Sequence, residues 1–323
     1  MSTRAMIAWI RRHPCPRWLD VDLIGRSEGR LAQLVGHLAP SLVNRPIDAT
    51  FREAGVSWNG HTSCLLLSFD VDFPEDCEAL PVVVERLAAH GIGASFACVG
   101  RWVEEFVEEH RTVVDGGHEI VNHSYSHPEL INAPGRFVSR RSDLNEERWE
   151  DLSLDERRSE ISRCQKALLA TLGVTARGFR APHFGNVDPM PLYPILAAQG
   201  FIYSTSMLSP RGSRLGLPVV EYGVVEIPVT TCPRHPHSSL DTWHAFYARD
   251  GWHREDFADV LGAQLRRAAA CGGITNIYLD PKDTERFDFD GFLASARGLG
   301  DDCWIATYSE FADWYRQRGN SEP

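Results

Sequence analysis

Two aspartates separated by a single residue, Asp70 and Asp72, close the run SFDVDF (68–73), directly after three leucines. In an extended chain residues two apart point to the same face, and carboxylates that close raise each other's pKa unless a cation or solvent offsets them. Further along, NHSYSHP carries His123 and His127, FRAPHF carries Arg180 and His183, and YLDPKD carries Asp280, Lys282 and Asp283. Two imidazoles four residues apart share a face on a helix, and a strand end turning into a loop brings them together equally well. Two neutral imidazoles plus a carboxylate, with positions left for water, form the donor set of a hydrolytic metal centre. Each residue alone has a simpler reading: a surface or capping His, a solvated loop start for the acid pair, a strand-end salt bridge for Arg180. Their joint placement at the ends of predicted strands carries the weight.

The elements that must position them alternate. Short runs rich in β-branched and aromatic residues predict strands at 64–71, 93–99, 119–124, 176–181, 201–206, 224–230, 274–279 and 304–308. Helices fall between. Pro81 is expected to open one that Gly91 closes. Ser153-x-x-Glu156 is a capping box before a stripe of Ile161, Cys164, Leu168 and Leu172. Phe257, Val260, Leu261 and Leu265 give another stripe, and Thr307-x-x-Glu310 caps a last helix. Strand–helix alternation implies parallel strands, and about eight such units in one domain suggest a barrel. A doubly wound sheet is disfavoured because no glycine-rich phosphate loop follows the first strand. Residues 1–62 read as an N-terminal appendage with one helical pattern (Leu31, Leu34, Val35, Leu38), 63–318 as the barrel, and 319–323 as a tail. Residues 129–152 and 207–253 are expected as long loops, which in a compact domain are usually functional or disordered.

The 323 residues carry 33 basic and 44 acidic side chains, a net charge of −11, which argues against nucleic acid as the main partner. No apolar run reaches the roughly 18 residues needed to cross a bilayer. The N-terminus shows no secretory pattern. The eight cysteines are scattered without paired spacing, so free thiols in a reducing, cytoplasmic setting are expected.

The motifs SFDVDF, NHSYSHP and FRAPH, in this order and spacing, resemble the polysaccharide deacetylase family, also called the NodB homology domain or carbohydrate esterase family 4. The likeness covers roughly 63–318. The family's first motif is usually T-F-D-D-G. The D-x-D form resembles the branch with peptidoglycan deacetylase-like, allantoinase-like and lipid-linked aminoarabinose deformylase enzymes. The resemblance implies a distorted (β/α) barrel of about seven to eight parallel strands and one divalent metal, with zinc expected. It implies Asp72, His123 and His127 as metal ligands, Asp70 as catalytic base and Arg180 as its orienting partner. The chemistry of the residues agrees. A metal on Asp72 polarises an amide oxygen and acidifies a water, Asp70 takes that water's proton, and Arg180 holds Asp70 ionised.

The pattern departs from the family at the seventh strand, where a His that protonates the leaving amine is usual and Asp280 stands here. Three readings follow: an acid with a raised pKa, a carboxylate that orients another donor (His235, His237, His244 or Lys282), or a barrel that binds without hydrolysing. The second is favoured, with His237 and His244 added to the catalytic candidates. The expected function is removal of an acetyl or formyl group from a small-molecule or carrier-linked amino sugar. Cyclic-amide hydrolysis and a catalytically silent sugar-binding barrel are the alternatives. Trp149, Phe184, Tyr203, Trp243 and Phe246 are candidates for stacking on sugar faces, with packing as their simpler role. The appendage is expected to cover the barrel base or to form a contact in a homo-oligomer.

Overall fold

A computed structural model describes residues 38–128, 137–184, 188–211, 214–247 and 256–319. The helical pattern at Leu31, Leu34 and Val35, and the tail beyond 319, lie outside them. Among the described residues nine strands form one curled sheet: β1 (Ser63–Val71), β2 (Ser95–Cys98), β3 (Glu119–Asn122), β4 (Gly178–Phe179), β5 (Tyr203–Ser204), β6 (Val219–Glu221), β7 (Val224–Glu226), β8 (Ile274–Leu279) and β9 (Cys303–Ile305). Their order is β6-β7-β5-β4-β3-β2-β1-β8, with β9 also on β1. Every pairing is parallel except β6 with β7. With helices on its outer face, the sheet makes the distorted half-barrel expected from strand–helix alternation.

Strand β1 explains how the acids are aimed. All nine residues are buried, as in a strand covered on both faces. Leu65, Leu67, Phe69 and Val71 join the core between sheet and helices. Cys64 and Leu66 join a second core inside the barrel, with Ala97, Val121, Tyr203, Tyr308 and Phe311. The period of two therefore carries Ser68, Asp70 and Asp72 up the inner face. Strand β8 keeps step, pairing Leu66 with Asn276 and Ser68 with Tyr278.

Among the described residues no strand–strand ladder closes the gap between β7 and β8. Side chains bridge it. The Asn276 amide donates to the carbonyls of Ile227 (3.1 Å) and Pro228 (3.2 Å) and to the Thr205 hydroxyl (3.1 Å), while Thr230 N–H donates to the Asn276 carbonyl at 2.7 Å. Helix Ser41–Ala54 packs Ile47 and Phe51 into the inner core beside Trp58, and Trp58 Nε1–H donates to the Gly272 carbonyl at 2.9 Å.

Two details differ from the sequence expectation. The helix ended by Gly91 begins at Pro74, and Pro81 lies within it. The Asp76 carboxylate accepts the Phe73 N–H at 3.0 Å and so starts the helix about two turns earlier. Burial of Cys77, Leu80, Val83 and Leu87 outweighs the hydrogen bond lost at Pro81. Strand β6 was not anticipated; its three residues are partly exposed and show no apolar alternation. Of the aromatic stacking candidates, Trp149, Phe184, Tyr203 and Phe246 are buried in the cores and Trp243 is half-buried. Packing accounts for the first four.

Candidate active site

The inner face of β1 meets the loops after β3 and β4 at the C-terminal end of the sheet. Asp72 Oδ1 lies 3.2 Å from His123 Nε2 and 3.4 Å from His127 Nε2, and one ligand-type atom from each of the three falls within 4.8 Å of the others. These atoms are close without a hydrogen bond: Asp72 Oδ1 has no hydrogen-bond partner among the described residues. His123 Nδ1 is 2.8 Å from the Arg180 carbonyl. A carbonyl can only accept, so a proton sits on Nδ1, and in the neutral ring Nε2 is left as the lone-pair atom toward Asp72. Three ligand-type atoms converging on one point, two nitrogens and one oxygen, fit a divalent cation such as zinc.

Local chain geometry supports this convergence. Ser124, His127 and His183 have φ of +64°, +48° and +47°, a region that residues with a Cβ seldom occupy. The turn 124–127 is buckled by Glu160, which projects from helix Leu154–Leu172. Its Oε2 accepts from Tyr125 N–H (3.1 Å), Ser126 N–H (2.8 Å) and the Ser126 hydroxyl (2.9 Å). Ser124 Oγ accepts His127 N–H at 3.1 Å. The sequence reading missed Glu160, which sits inside an ordinary amphipathic helix pattern and carries no local signal of its task.

Asp70 sits one layer below Asp72. Its Oδ1 accepts from Arg180 Nη1, and its Oδ2 is 4.0 Å from His123 Nε2. Arg180 is fully buried. Its Nη2 donates to Ser68 Oγ (3.0 Å) and to the Tyr308 hydroxyl (2.6 Å). Burial pushes the Asp70 carboxyl up, against the pull of Arg180 and His123. Burial acts the same way on Asp72, but the imidazoles of His127 and His123 prevail and hold it below the carboxylate range. Burial lowers His127 to about 3 despite Asp72, so that imidazole is neutral, the state in which it can act as a ligand.

The opposite wall is built from the residues after β8. Asp280 Oδ2 accepts the Thr242 hydroxyl at 2.5 Å, and Asp280 N–H donates back to Thr242 Oγ1 at 2.6 Å. Lys282 Nζ lies 3.2 Å from Asp280 Oδ1, 3.2 Å from Asp76 Oδ1 and 3.6 Å from Asp283 Oδ2. The rings of Phe73, Phe137, Trp243 and Tyr247 surround it at 4.8–6.0 Å. Burial works to lower Lys282, but the three carboxylates win and raise it. Burial raises Asp76 to about 7 against Lys282. Of the donors named from sequence, Lys282 is the one placed on Asp280. His244 Nε2 lies 3.1 Å from His235 Nδ1. Burial, then His235, lowers His244 to about 3; burial, then Arg211, lowers His237.

Fold and site together define a class: an open (β/α) barrel with an Asp–His–His centre at the C-terminal ends of its strands. Residues 59–190 match the polysaccharide deacetylase family, and over that stretch the chain is similar to it. A peptidoglycan-N-acetylglucosamine deacetylase of Bacillus cereus is 30% identical over 117 residues, covering 36% of this chain and 35% of the relative. A chitooligosaccharide deacetylase of Sinorhizobium fredii is 35% identical over 60 residues, covering 19% and 28%. The chain thus spans about a third of the length of the curated relatives it matches. Among solved structures, a Mycobacterium smegmatis protein assigned as a polysaccharide deacetylase is 21% identical and covers 82% of this chain and 94% of its own, with a TM-score of 0.64. Puue allantoinase is 13% identical and covers 80% and 91%, with a TM-score of 0.60. At these identities the likeness is one of fold. Among the described residues no helix is long and apolar enough to cross a membrane.

Proposed function

We propose that this chain is a metal-dependent N-deacylase that removes an acetyl or formyl group from an amino sugar, either free or carried on a small conjugate. The observation that carries the reading is the convergence of Asp72 Oδ1, His123 Nε2 and His127 Nε2 beside the buried Asp70–Arg180 pair. The deacetylases it resembles over 59–190 support an amide on a sugar as the class of substrate. A divalent cation, zinc in our reading, held by Asp72, His123 and His127 would polarise the amide carbonyl and acidify a water there.

The chain's own groups account for the rest. Asp70, one layer below, is in place to accept the proton of an attacking water. Arg180 pulls that carboxylate toward its ionised form and holds it in one orientation, and Ser68 and Tyr308 hold the guanidinium in turn. The Arg180 carbonyl fixes the His123 tautomer, so one residue orients both base and ligand. We take residues 63–318 as the catalytic unit, with helix Ser41–Ala54 packed against it. We also infer a reducing, cytoplasmic setting, since seven cysteines among the described residues are buried and free.

The test is metal analysis of the purified chain together with amine release from a panel of N-acetyl and N-formyl amino sugars. The expected result is about one divalent ion per chain and turnover that a chelator abolishes. A metal-loaded chain that releases no amine from any member, or that opens a cyclic amide instead, defeats the proposal.

A further inference from the structure

A chelating turn that already has its bound shape loses less freedom when the ion arrives, and holds it more tightly. The turn Ser124–His127 is neither helix nor strand, and both its ends sit at positive φ, +64° and +48°. Such backbone persists only where the surroundings impose it. The two imidazoles also differ in how they are aimed. His123 has its ring anchored, Nδ1 on the Arg180 carbonyl at 2.8 Å. His127 Nδ1 is buried and has no hydrogen-bond partner among the described residues, so the aim of that ring is inherited from the turn.

The backbone donors show what imposes the turn. Four consecutive N–H groups, from Ser124 to His127, donate to side-chain oxygens. Ser124 N–H reaches Asn122 Oδ1 and His127 N–H reaches Ser124 Oγ, each at 3.1 Å; both acceptors belong to the segment itself. The two in the middle, Tyr125 and Ser126, go to one atom of another element, Glu160 Oε2, at 3.1 and 2.8 Å, and the Ser126 hydroxyl adds a third bond at 2.9 Å. On the other side of the turn the Ser124 carbonyl accepts Gly100 N–H at 3.0 Å and the Tyr125 carbonyl accepts Arg101 N–H at 2.8 Å. The turn is thus clamped between helix Gly100–Glu105 and Glu160. Glu160 is 8% exposed, a burial that a glutamate seldom shows without partners. Its second oxygen lies 3.5 Å from Arg163 Nη1, and the Arg163 guanidinium stands 3.9 Å from the centre of the Tyr125 ring. One residue on, the Ile161 carbonyl accepts the Asn122 amide at 2.9 Å, so helix Leu154–Leu172 grips the segment at its entry and at its middle.

We propose that Glu160 sets the affinity of the Asp72–His123–His127 centre for its ion by holding the turn that aims His127. The inference rests on the metal-centre part of the deacylase reading above. Glu160 is a positioning residue: its bonds go to the turn and not to the three ligand-type atoms. Without it the N–H groups of Tyr125 and Ser126 lose their acceptor, the turn relaxes toward ordinary backbone angles, and His127 Nε2 leaves its place 3.4 Å from Asp72 Oδ1. An ion must then reassemble the turn as it binds, and affinity falls by the fraction of chains in which the turn is formed. Because His123 is held separately, binding is weakened rather than abolished.

The test takes zinc-loaded full-length chain, titrates it with a chromophoric chelator and reads the ion withdrawn. Three variants are compared with wild type. Glu160→Ala removes the acceptor, and Glu160→Gln keeps an oxygen there without the charge. Ser162→Ala removes a hydroxyl that the same helix extends to Gln199 Oε1 at 3.1 Å, away from the turn. The expected result is zinc affinity about 100-fold lower in Glu160→Ala and about 10-fold lower in Glu160→Gln, with Ser162→Ala as wild type. Unchanged affinity in Glu160→Ala overturns the inference, and so does an equal loss in Ser162→Ala, the mark of a helix merely loosened. If Glu160→Ala does not fold, Glu160→Gln decides the matter, and wild-type affinity there is the overturning result. Wild type that takes up no zinc defeats the metal-centre reading itself, and the assignment of Glu160 falls with it; wild type and variants that hold zinc alike defeat the assignment alone.

Discussion

The two walls of the site are both acidic and both buried, yet they are solved in opposite ways. On one wall Asp72, His123 and His127 bring three ligand-type atoms to a common point, and Asp72 Oδ1 makes no hydrogen bond among the described residues. On the other, Asp76, Asp280 and Asp283 surround an ammonium that belongs to the chain itself, and four rings enclose it. The first wall is unbalanced and suited to receive a cation, whereas the second carries its own counter-charge and suits a structural task. Carboxylate count alone does not mark a metal site; what separates the walls is whether the fold also supplies a cation.

The sharpest way to break this contrast is His127→Ala, which should abolish metal binding and reduce hydrolysis to background; plasma emission analysis reads the metal and amine release the activity. Next, Asp70→Asn should keep the metal and lose roughly 10²- to 10⁴-fold in kcat. A lost metal would show that Asp70 is a ligand rather than a base. On the second wall, Lys282→Met leaves three buried carboxylates without their cation and should cost about 3–5 kcal/mol in a denaturant titration, while the metal stoichiometry stays intact.

A smaller effect is expected from pH. Asp241 keeps its proton up to about 6 when folded and gives it up near 3.9 when unfolded. Between those values the native state binds more protons than the unfolded one, so stability falls as pH rises. The loss attributable to Asp241 between pH 4 and pH 7 is about 2 kcal/mol, and Asp241→Asn should not show it in parallel titrations. The smallest change should come from the opposite end of the barrel, where Arg177 pairs with Asp313 at 2.7 Å and both are substantially exposed. Arg177→Ala should cost under about 1 kcal/mol, and less in high salt.

Much of the first wall is visible in local sequence. The D-x-D spacing puts Asp70 and Asp72 on one face of a strand because the strand period is two. His123 and His127 follow the third strand within five residues of each other. The second wall is not visible in that way. Lys282 meets Asp76 across 206 positions, and Thr242 meets Asp280 across 38, so no window holds both partners. Glu160 and Asp241 read locally as a helix surface residue and a loop acid. Strands β4 and β5, two residues each, have segments that are legible as apolar runs but bounds that depend on their neighbours in the sheet.

By itself the sequence determined what short-range physics controls: alternating strands and helices, the capping box at Ser153, the glycine stop at Gly91, and an acid pair aimed one way from a fully buried strand. The tertiary structure alone decided which buried charges receive a partner from within the chain. That choice depends on distances of a few ångströms between groups far apart in sequence, in a medium where an unpaired charge is costly. It leaves Asp72 facing two imidazoles, Asp280 facing a lysine, and Asp241 with one oxygen uncommitted.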